Sequence, residues 1–298
     1  MKVIFHGDDF GLTGAINDGI LEAHDRGLLR STSLIVSGIA AEHAASAVRG
    51  HPGLDVGLHA TLVEERPVLS PDRIPSLVTG DRFLPDFRTV ALRYAVGRWR
   101  PAEACAEIAA QWDRLAELGL QASHCDGHQH LHLLPGVLPA VVEQARTRGI
   151  RFVRSRPVEP VWRGEPLVRR CEFLVLSGIT ALSRRRAYAR GAEGYSFVTV
   201  GFAAGGGRLT RTRLLEILDR LGEEPVVEVM LHPGRVDADT RRRYGHWGYH
   251  WERDLALLCD PGLAEELDRR GIEVTSFREL TASAGEPAVD RGRLPETA

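Results

Sequence analysis

The sequence predicts a parallel α/β fold of the (β/α) type, and three observations lead to that prediction. Short apolar segments with strand character alternate with longer segments of helical periodicity. Several apolar segments end in Asp or His, and the carboxyl ends of parallel strands open on one face where active sites assemble. The 298 residues suit one such domain or two small ones.

The predicted elements follow from local patterns along the chain. Thr13 offers a capping hydroxyl to the first helix, and Pro101 stands in the first turn of another. The predicted strands are Lys2–Phe5, Ser33–Val36, Leu54–His59, Ala122–Asp126, Ile150–Val153, Ser196–Val200, Val226–Leu231 and Glu273–Thr275. The predicted helices are Gly14–Arg26, Ala40–Arg49, Pro101–Leu118, Leu138–Arg148 and Arg211–Leu221, with two short ones before the last strand.

Three segments fall outside this alternation. Thr61–Arg100 contains four prolines and is long for an irregular connection, which predicts a lid or substrate loop. Arg163–Arg190 carries seven arginines against two glutamates around an apolar stretch. We interpret it as a solvated helical hairpin, with a surface that touches an anionic membrane as the alternative. The polar residues 282–298 have the composition of a disordered tail.

Composition excludes several classes of protein. The formal net charge of −2 gives no general attraction for nucleic acid. Four scattered cysteines without a Cys-x-x-Cys pair argue against a disulfide framework and fit a reducing cytosol. The chain opens directly on a strand, and its apolar runs are shorter than the roughly 18–20 residues that span a bilayer. We therefore expect a cytoplasmic protein, and the basic segment leaves peripheral contact with the inner membrane surface open.

Asp8 and Asp9 follow directly on the first apolar strand. Two adjacent carboxylates at such a position are costly unless a cation compensates them. Gly7 and Gly11 allow the backbone to turn tightly around the pair. Because Thr13 already serves as a helix cap, we interpret the pair as functional.

Histidines mark the ends of further strands. Ser123–His132 contains four histidines beside Asp126, and the alternation of His128, His130 and His132 predicts an extended backbone with period-two geometry. His59 and His232 close two other predicted strands. Since neutral imidazole is the commonest protein metal ligand, we expect a metal site where these strand ends converge.

Aromatic residues are concentrated in Arg241–Trp251, which includes Tyr249 and Trp251. Aromatic faces in a polar loop suit stacking on a sugar ring, and they equally suit anchoring the loop to the core.

These motifs resemble the YdjC-like (ChbG-type) carbohydrate deacetylases. The motifs that carry the resemblance are Asp8-Asp9-Phe10-Gly11-Leu12, Ser31-Thr32-Ser33, Gly57-Leu58-His59, Asp126-Gly127-His128-Gln129-His130-Leu131-His132 and His232-Pro233-Gly234. Their order and spacing cover residues 2–280. The aromatic loop and the basic segment most resemble the subgroup associated with hopanoid biosynthesis, HpnK.

The resemblance implies a deformed (β/α) barrel related to the NodB-like deacetylases, over a single domain 1–281 with an insert at 157–192. It also implies that Asp9, His59 and His128 hold a divalent metal, that Asp8 is the catalytic base and that His232 protonates the leaving amine. The expected substrate-binding residues are Asp126, His130, His132, Arg154, Tyr249 and Trp251. One departure is His6-Gly7, where the family usually has Asn-Ala.

The expected activity is removal of acetyl from an N-acetylglucosamine-type amino sugar, either lipid-linked, as in a hopanoid glycoside, or a soluble chitooligosaccharide. The choice of metal stays open among Zn²⁺, Mg²⁺, Mn²⁺, Co²⁺ and Ni²⁺. The alternatives are a metal-dependent phosphoesterase or amidohydrolase, and a catalytically silent sugar- or lipid-binding protein. We expect no nucleic-acid partner, and homodimer formation is left open.

Overall fold

The computed structural model describes residues 1–162, 166–188 and 197–283, and a curved parallel sheet forms its centre. The strands are β1 (Lys2–Phe10), β2 (Ser31–Leu34), β3 (Asp55–Ala60), β4 (Val78–Thr79), β5 (Arg82–Phe83), β6 (His124–Gly127), β7 (Phe152–Val153), β8 (Val198–Val200), β9 (Val226–Leu231) and β10 (Glu273–Val274). Eight of them form this sheet in the order β7-β6-β3-β2-β1-β9-β8, with β10 beside the start of β1. β4 and β5 form a separate antiparallel hairpin.

Helices cover the outside of the sheet. They are α1 (Gly14–Arg26), α2 (Ala41–Val48), α3 (Phe87–Ala95), α4 (Pro101–Glu117), α5 (Leu138–Thr147), α6 (Leu167–Tyr188), α7 (Arg211–Arg220), α8 (Ala238–Tyr244), α9 (Trp251–Leu258), α10 (Pro261–Arg269) and α11 (Phe277–Ser283). Short 3₁₀ turns occupy Pro71–Arg73, His128–Leu133 and Gly245–Trp247. Thr13 caps α1 by accepting a hydrogen bond from the Ile16 amide, as predicted.

The sheet closes into a barrel because the chain after β7 pairs with the opposite edge strand, β8. The Thr199 amide donates to the Arg156 carbonyl, and the Val158 amide donates to the Thr199 carbonyl, each at 2.9 Å. Closure through an isolated bridge, together with a shifted register between β1 and β2, makes the barrel irregular. The predicted deformed (β/α) barrel is confirmed.

The five bounded helix predictions hold to within one residue at either end, and the predicted strands mostly hold to within two. The first strand is longer than predicted: β1 runs through the Asp pair to Phe10. The extended backbone predicted for His128–His132 is wrong. Gln129 and His130 have left-handed backbones, with φ of 49° and 60°, so the chain turns sharply after β6 instead of continuing as a strand.

The segments that fall outside the alternation of strands and helices are only partly irregular. Thr61–Arg100 holds the β4–β5 hairpin and α3, and its role as a lid stays a prediction. The insert contains the single long helix α6 over its described part, while Arg163, Arg190 and residues 284–298 lie outside the described residues. None of the helices in the described part of the chain is long and apolar enough to cross a bilayer.

The barrel interior is layered along the strand direction. At its base, Ile4, Phe152, Phe197, Phe277 and Leu280 form a buried apolar cluster, which we call the basal cluster. Because side chains on a strand alternate, the residues above Ile4 that also face the interior are His6 and then Asp8. The interior therefore changes from apolar at the base to polar at the carboxyl ends of the strands.

Candidate metal centre and active site

Asp9 brings the end of β1 into contact with two histidines from other strands. Its backbone is left-handed, with φ of 71°, and Gly11 follows with φ of 90°. Asp9 Oδ1 lies 2.9 Å from His128 Nδ1 and 3.2 Å from His59 Nε2. All three side chains are buried. The sequence placed these residues at separate strand ends, and the barrel brings them together.

The donor atoms of this cluster fit a metal ion. One ligand atom from each of Asp9, His59 and His128 lies within 4.8 Å of the others. Asp9 Oδ2 is buried without a hydrogen-bond partner among the described residues. A buried carboxylate oxygen is costly without a partner, and one carboxylate with two imidazoles is a common donor set for divalent transition metals.

The two histidines are oriented by carboxylates behind them. His59 Nδ1 lies 2.8 Å from Asp126 Oδ1 and 2.9 Å from Ser33 Oγ, which leaves Nε2 facing Asp9. His128 Nε2 lies 3.5 Å from Glu64 Oε2. A carboxylate on the far nitrogen is typical of metal-binding histidines, because it fixes the tautomer and raises ligand basicity.

Electrostatics at the cluster favours a cation. Burial by itself would lower the pKa of His59, but Asp126, Asp9 and Asp8 outweigh it and raise that pKa to about 10. Burial is likewise outweighed at His128, where Asp9 and Glu64 raise the pKa to about 9. Burial would raise the pKa of Asp9, but the two histidines hold it below its usual range. The site thus has a strongly negative potential, which attracts positive charge.

Two neighbouring groups also contain enough donors for a metal, namely His6–His124–Asp126 and Asp8–His59–Asp126. Both lie against the Arg154 guanidinium, which is 2.9 Å from Asp126 and 2.7 Å from Asp8. A fixed cation already compensates these carboxylates and would repel a second one. Among the three groups, only that of Asp9 combines an unpartnered carboxylate oxygen with no arginine contact.

Arg154 stands just after β7 and is buried among three carboxylates from three strands. Its Nη1 and Nη2 donate to Asp8 at 2.7 and 2.8 Å, and its Nε and Nη2 donate to Glu228 at 3.0 and 2.8 Å. Asp126 lies on the same guanidinium. Burial would raise the pKa of Asp8, but Arg154 holds it well below its usual range, so Asp8 is ionised.

His232 follows β9 on the same rim of the barrel. Its backbone amide donates to Asp254 Oδ2 at 2.9 Å, while its Nδ1 lacks a hydrogen-bond partner within the described ranges. Its ring packs against Tyr249, with centroids 4.6 Å apart. An imidazole with an uncommitted nitrogen at the rim is suited to proton transfer.

An aromatic wall joins His232 to His128. Trp247 packs on the His128 ring at 5.1 Å between centroids and on Tyr249 at 5.6 Å. Two adjacent glutamates after β3 anchor this wall: Glu64 accepts from Trp247 Nε1 at 3.1 Å, and Glu65 accepts from the Tyr244 hydroxyl at 2.8 Å.

The expected substrate-binding residues divide into two groups. Asp126, His132 and Arg154 are fully buried with protein partners; His132 Nε2, for example, lies 2.9 Å from the Arg154 carbonyl. Their position favours orienting other side chains over touching a sugar. Trp251 is buried and packs in the core, and its role in substrate binding stays a prediction.

His130 and Tyr249 remain on the accessible side. Both are partly exposed, and His130 packs on Phe202 with centroids 4.4 Å apart.

Sequence reasoning missed Glu64, Glu228, Trp247 and Phe202. Glu228 had a signal, because a lone carboxylate inside the apolar strand Val226–Leu231 requires a buried partner. Trp247 belonged to the aromatic segment but was not separated from its neighbours. Glu64 had no such signal, because its position depends on a left-handed backbone, with φ of 66°.

The fold and the site define a parallel (β/α)-barrel protein with a buried carboxylate–imidazole cluster at the carboxyl ends of its strands. A family model described as YdjC-like protein matches residues 2–269. The chain belongs to the YdjC-like family, as its motifs predicted.

Relatives agree with this assignment. A carbohydrate deacetylase of Geobacillus stearothermophilus is 33% identical over 93% of this chain and 97% of its own length. A chitooligosaccharide deacetylase of Enterobacter sp. (strain 638) is 31% identical over 93% of this chain and 98% of its own length. The crystal structure of a putative cellobiose-phosphate cleavage protein from Enterococcus faecalis V583 superposes with a TM-score of 0.73 at 22% identity, over 94% of this chain and 98% of that one. That likeness shows the fold.

Replacing Arg154 by Met should destabilise the barrel. The change leaves Asp8, Asp126 and Glu228 buried without their cation, and loss of one partner from a buried charge cluster typically costs about 3–5 kcal/mol. Urea unfolding measures the free energy of unfolding. Arg146→Met, at an exposed arginine paired with Glu143, is the matched control and should cause no measurable loss. A loss below about 1 kcal/mol at Arg154 would contradict the proposed charge balance.

Proposed function

We propose that the protein is a metal-dependent hydrolase that removes the acetyl group from an N-acetylglucosamine-type amino sugar. The observation that carries the proposal is an ionised carboxylate, Asp8, adjacent in sequence to the Asp9–His59–His128 cluster. The names of the relatives support the class of substrate. A silent binding protein has no use for an ionised base beside such a cluster, so the arrangement favours an enzyme.

The side chains have distinct roles in amide hydrolysis. Asp9, His59 and His128 would hold the divalent ion, which would supply Lewis acidity toward a water molecule and the acetyl carbonyl. Asp8 accepts the proton of the attacking water as a new C–O bond forms. His232 donates a proton to the amine nitrogen as the C–N bond breaks, which yields acetate and the free amino sugar. An amine leaves poorly unless it is protonated, so an acid separate from the base is needed.

The aromatic wall supports binding of a sugar. Trp247 and Tyr249 are partly exposed and lie against His128 and His232, at either side of the proposed reaction. Aromatic faces stack on the apolar faces of pyranose rings, and this position would hold the ring over the cluster. His130 and Phe202 continue the apolar lining at the other side.

Asp8→Asn should remove turnover while leaving the metal bound. The amide has the size of the carboxylate but cannot accept the water proton, so acetate release should fall by about two to four orders of magnitude. Acetate release from N-acetylated oligosaccharides measures the effect, and metal content by mass spectrometry shows retention. Asp113→Asn, at an exposed aspartate, is the control. Near-native turnover in Asp8→Asn would remove Asp8 from the mechanism.

His59→Ala should remove most of the bound metal and the activity from a folded protein. The change deletes one of the three proposed ligands, while the Asp126 carboxylate keeps its contacts with Arg154 and Ser33. Metal content and circular dichroism are measured together, with His51→Ala as the control, because His51 lies outside the cluster. Stoichiometric metal in His59→Ala would show that the ligand assignment is wrong.

A lipid-linked amino sugar is a second candidate substrate, which the exposed side of α6 favours. Leu167, Val168, Leu174, Val175 and Leu182 recur at helical spacing and are between 47% and 75% exposed. The opposite side of the helix is buried: Phe173 packs on Phe202, which contacts His130. An apolar stripe facing solvent on a helix next to the site is suited to a bilayer surface.

The charges on α6 complement an anionic membrane. Arg185 and Arg186 are exposed at the end of the apolar stripe, and Glu172 is the one acidic residue of the helix. Basic residues near an anionic leaflet each contribute about 1 kcal/mol at low salt. The enzyme would then dock beside its lipid-linked substrate.

Vesicle binding and substrate preference test this candidate. The protein should bind phosphatidylglycerol vesicles at low salt, and Arg185→Ser with Arg186→Ser should weaken binding by about 30-fold, from about 1 kcal/mol for each arginine. Arg269→Ser with Arg270→Ser, at the carboxyl end of α10, is the control pair. Turnover of an N-acetylglucosaminyl lipid should exceed that of free chitooligosaccharide. Equal turnover without vesicle binding would leave the soluble oligosaccharide as the substrate.

A further inference from the structure

A continuous line of polar side chains crosses the barrel below Asp8. His6 Nδ1 lies 2.8 Å from Asp8 Oδ1, and His6 Nε2 lies 2.8 Å from His124 Nε2. His124 Nδ1 lies 2.7 Å from Ser123 Oγ. Both histidines are buried, while Ser123 is partly exposed at the start of β6. The line therefore connects the proposed base with the amino-terminal end of the strands.

The neighbouring chain is shaped around this line. A Cβ atom on Gly57 of β3 would lie 2.5 Å from the His124 ring, so the ring occupies space that only glycine leaves free. Phe277 of the basal cluster packs on His124 with ring centroids 4.2 Å apart. Phe277 therefore shields the imidazoles of His6 and His124 from water on the side that faces the basal cluster.

The negative charge on Asp8 determines whether the neighbouring nitrogen, His6 Nδ1, carries a hydrogen. Both Asp8 oxygens accept from Arg154, so this carboxylate is ionised and can only accept. The nitrogen 2.8 Å away, His6 Nδ1, must therefore carry a hydrogen. Arg154 Nη2 also lies 3.1 Å from this nitrogen, but Asp8 and Glu228 take its two hydrogens.

The remaining hydrogens then point in one direction. A neutral His6 with its hydrogen on Nδ1 has a bare Nε2, which accepts from His124 Nε2–H. His124 Nδ1 is bare in turn and accepts from the Ser123 hydroxyl. The same hydroxyl also approaches the Val56 carbonyl at 3.3 Å, but its contact with His124 Nδ1 is shorter, at 2.7 Å, so its hydrogen is assigned to the ring nitrogen. Burial lowers the pKa of His124, in agreement with a neutral ring.

We propose that Ser123 and His124 are positioning residues for the candidate base, because they hold His6 in the tautomer that donates to Asp8. His6 in turn fixes the orientation of the Asp8 carboxylate, together with Arg154. This dependence is particular to the histidine at position 6: an asparagine amide always carries donor hydrogens and needs no partner to fix a tautomer. The inference rests on the proposed role of Asp8 as base.

Nitrogen-15 NMR of histidine-labelled protein tests the tautomers independently of activity. The native protein should show hydrogen on Nδ1 of His6 and on Nε2 of His124, assigned by comparison with His6→Asn and His124→Gln. Ser123→Ala should change the His124 signals, and Ser183→Ala, which removes a buried hydroxyl from α6, should not. Hydrogen on Nδ1 of His124 in the native protein would overturn the proposed direction.

Steady-state kinetics of Ser123→Ala, in the native sequence and in a His6→Asn variant, tests the positioning role. Ser123→Ala should lower kcat about tenfold, within the range for loss of an outer-shell partner, with KM and bound metal unchanged. In a His6→Asn background, Ser123→Ala should cause no further loss of kcat relative to His6→Asn alone. An equal loss in both backgrounds, or no loss in either, would overturn the proposal. If the native protein releases no acetate, the proposed function fails, and the NMR result alone decides the inference.

Discussion

The arrangement of the site depends on one interaction, the Arg154 guanidinium among three buried carboxylates. Asp8, Asp126 and Glu228 come from β1, β6 and β9, so the arginine connects strands that lie apart in the sheet. One cation against three carboxylates leaves the interior negative, and burial makes such an imbalance costly. At the rim, a fourth carboxylate, Asp9, faces two imidazoles.

The contact with Arg154 gives different environments to two carboxylates that are adjacent in sequence, Asp8 and Asp9. Asp8 has both oxygens on Arg154, whereas Asp9 has one oxygen without a partner among the described residues. The left-handed backbone at Asp9 allows both carboxylates to lie near His59, because consecutive residues of a regular strand would point to opposite faces. Asp8 is thereby held in one orientation by a fixed cation, whereas Asp9 keeps an oxygen available to a metal ion.

The sequence was informative where function follows from strand topology. Asp9, His59 and His128 lie far apart in the chain, and the convergence of parallel strand ends was enough to predict that they meet. The prediction from sequence failed where the local backbone departs from regular geometry. Gln129 and His130 have left-handed backbones, so the histidine segment turns and does not continue as a strand. Glu64, which also has a left-handed backbone, lies against His128. The ion-pair partners of Arg154 could not be predicted from the sequence either, because they depend on the register of three strands. The aromatic segment was recognised, but the sequence did not reveal that Trp251 is buried or that Trp247 packs on His128.

The central claim is that Asp9, His59 and His128 form the metal centre while Arg154 excludes metal from the two neighbouring donor groups. Anomalous diffraction from crystals grown with Zn²⁺ or Co²⁺, recorded at the metal absorption edge, tests this claim most directly. The account predicts one strong peak between the Asp9 carboxylate and the imidazoles of His59 and His128. A strong peak within His6, His124 and Asp126, with none at Asp9, would contradict it.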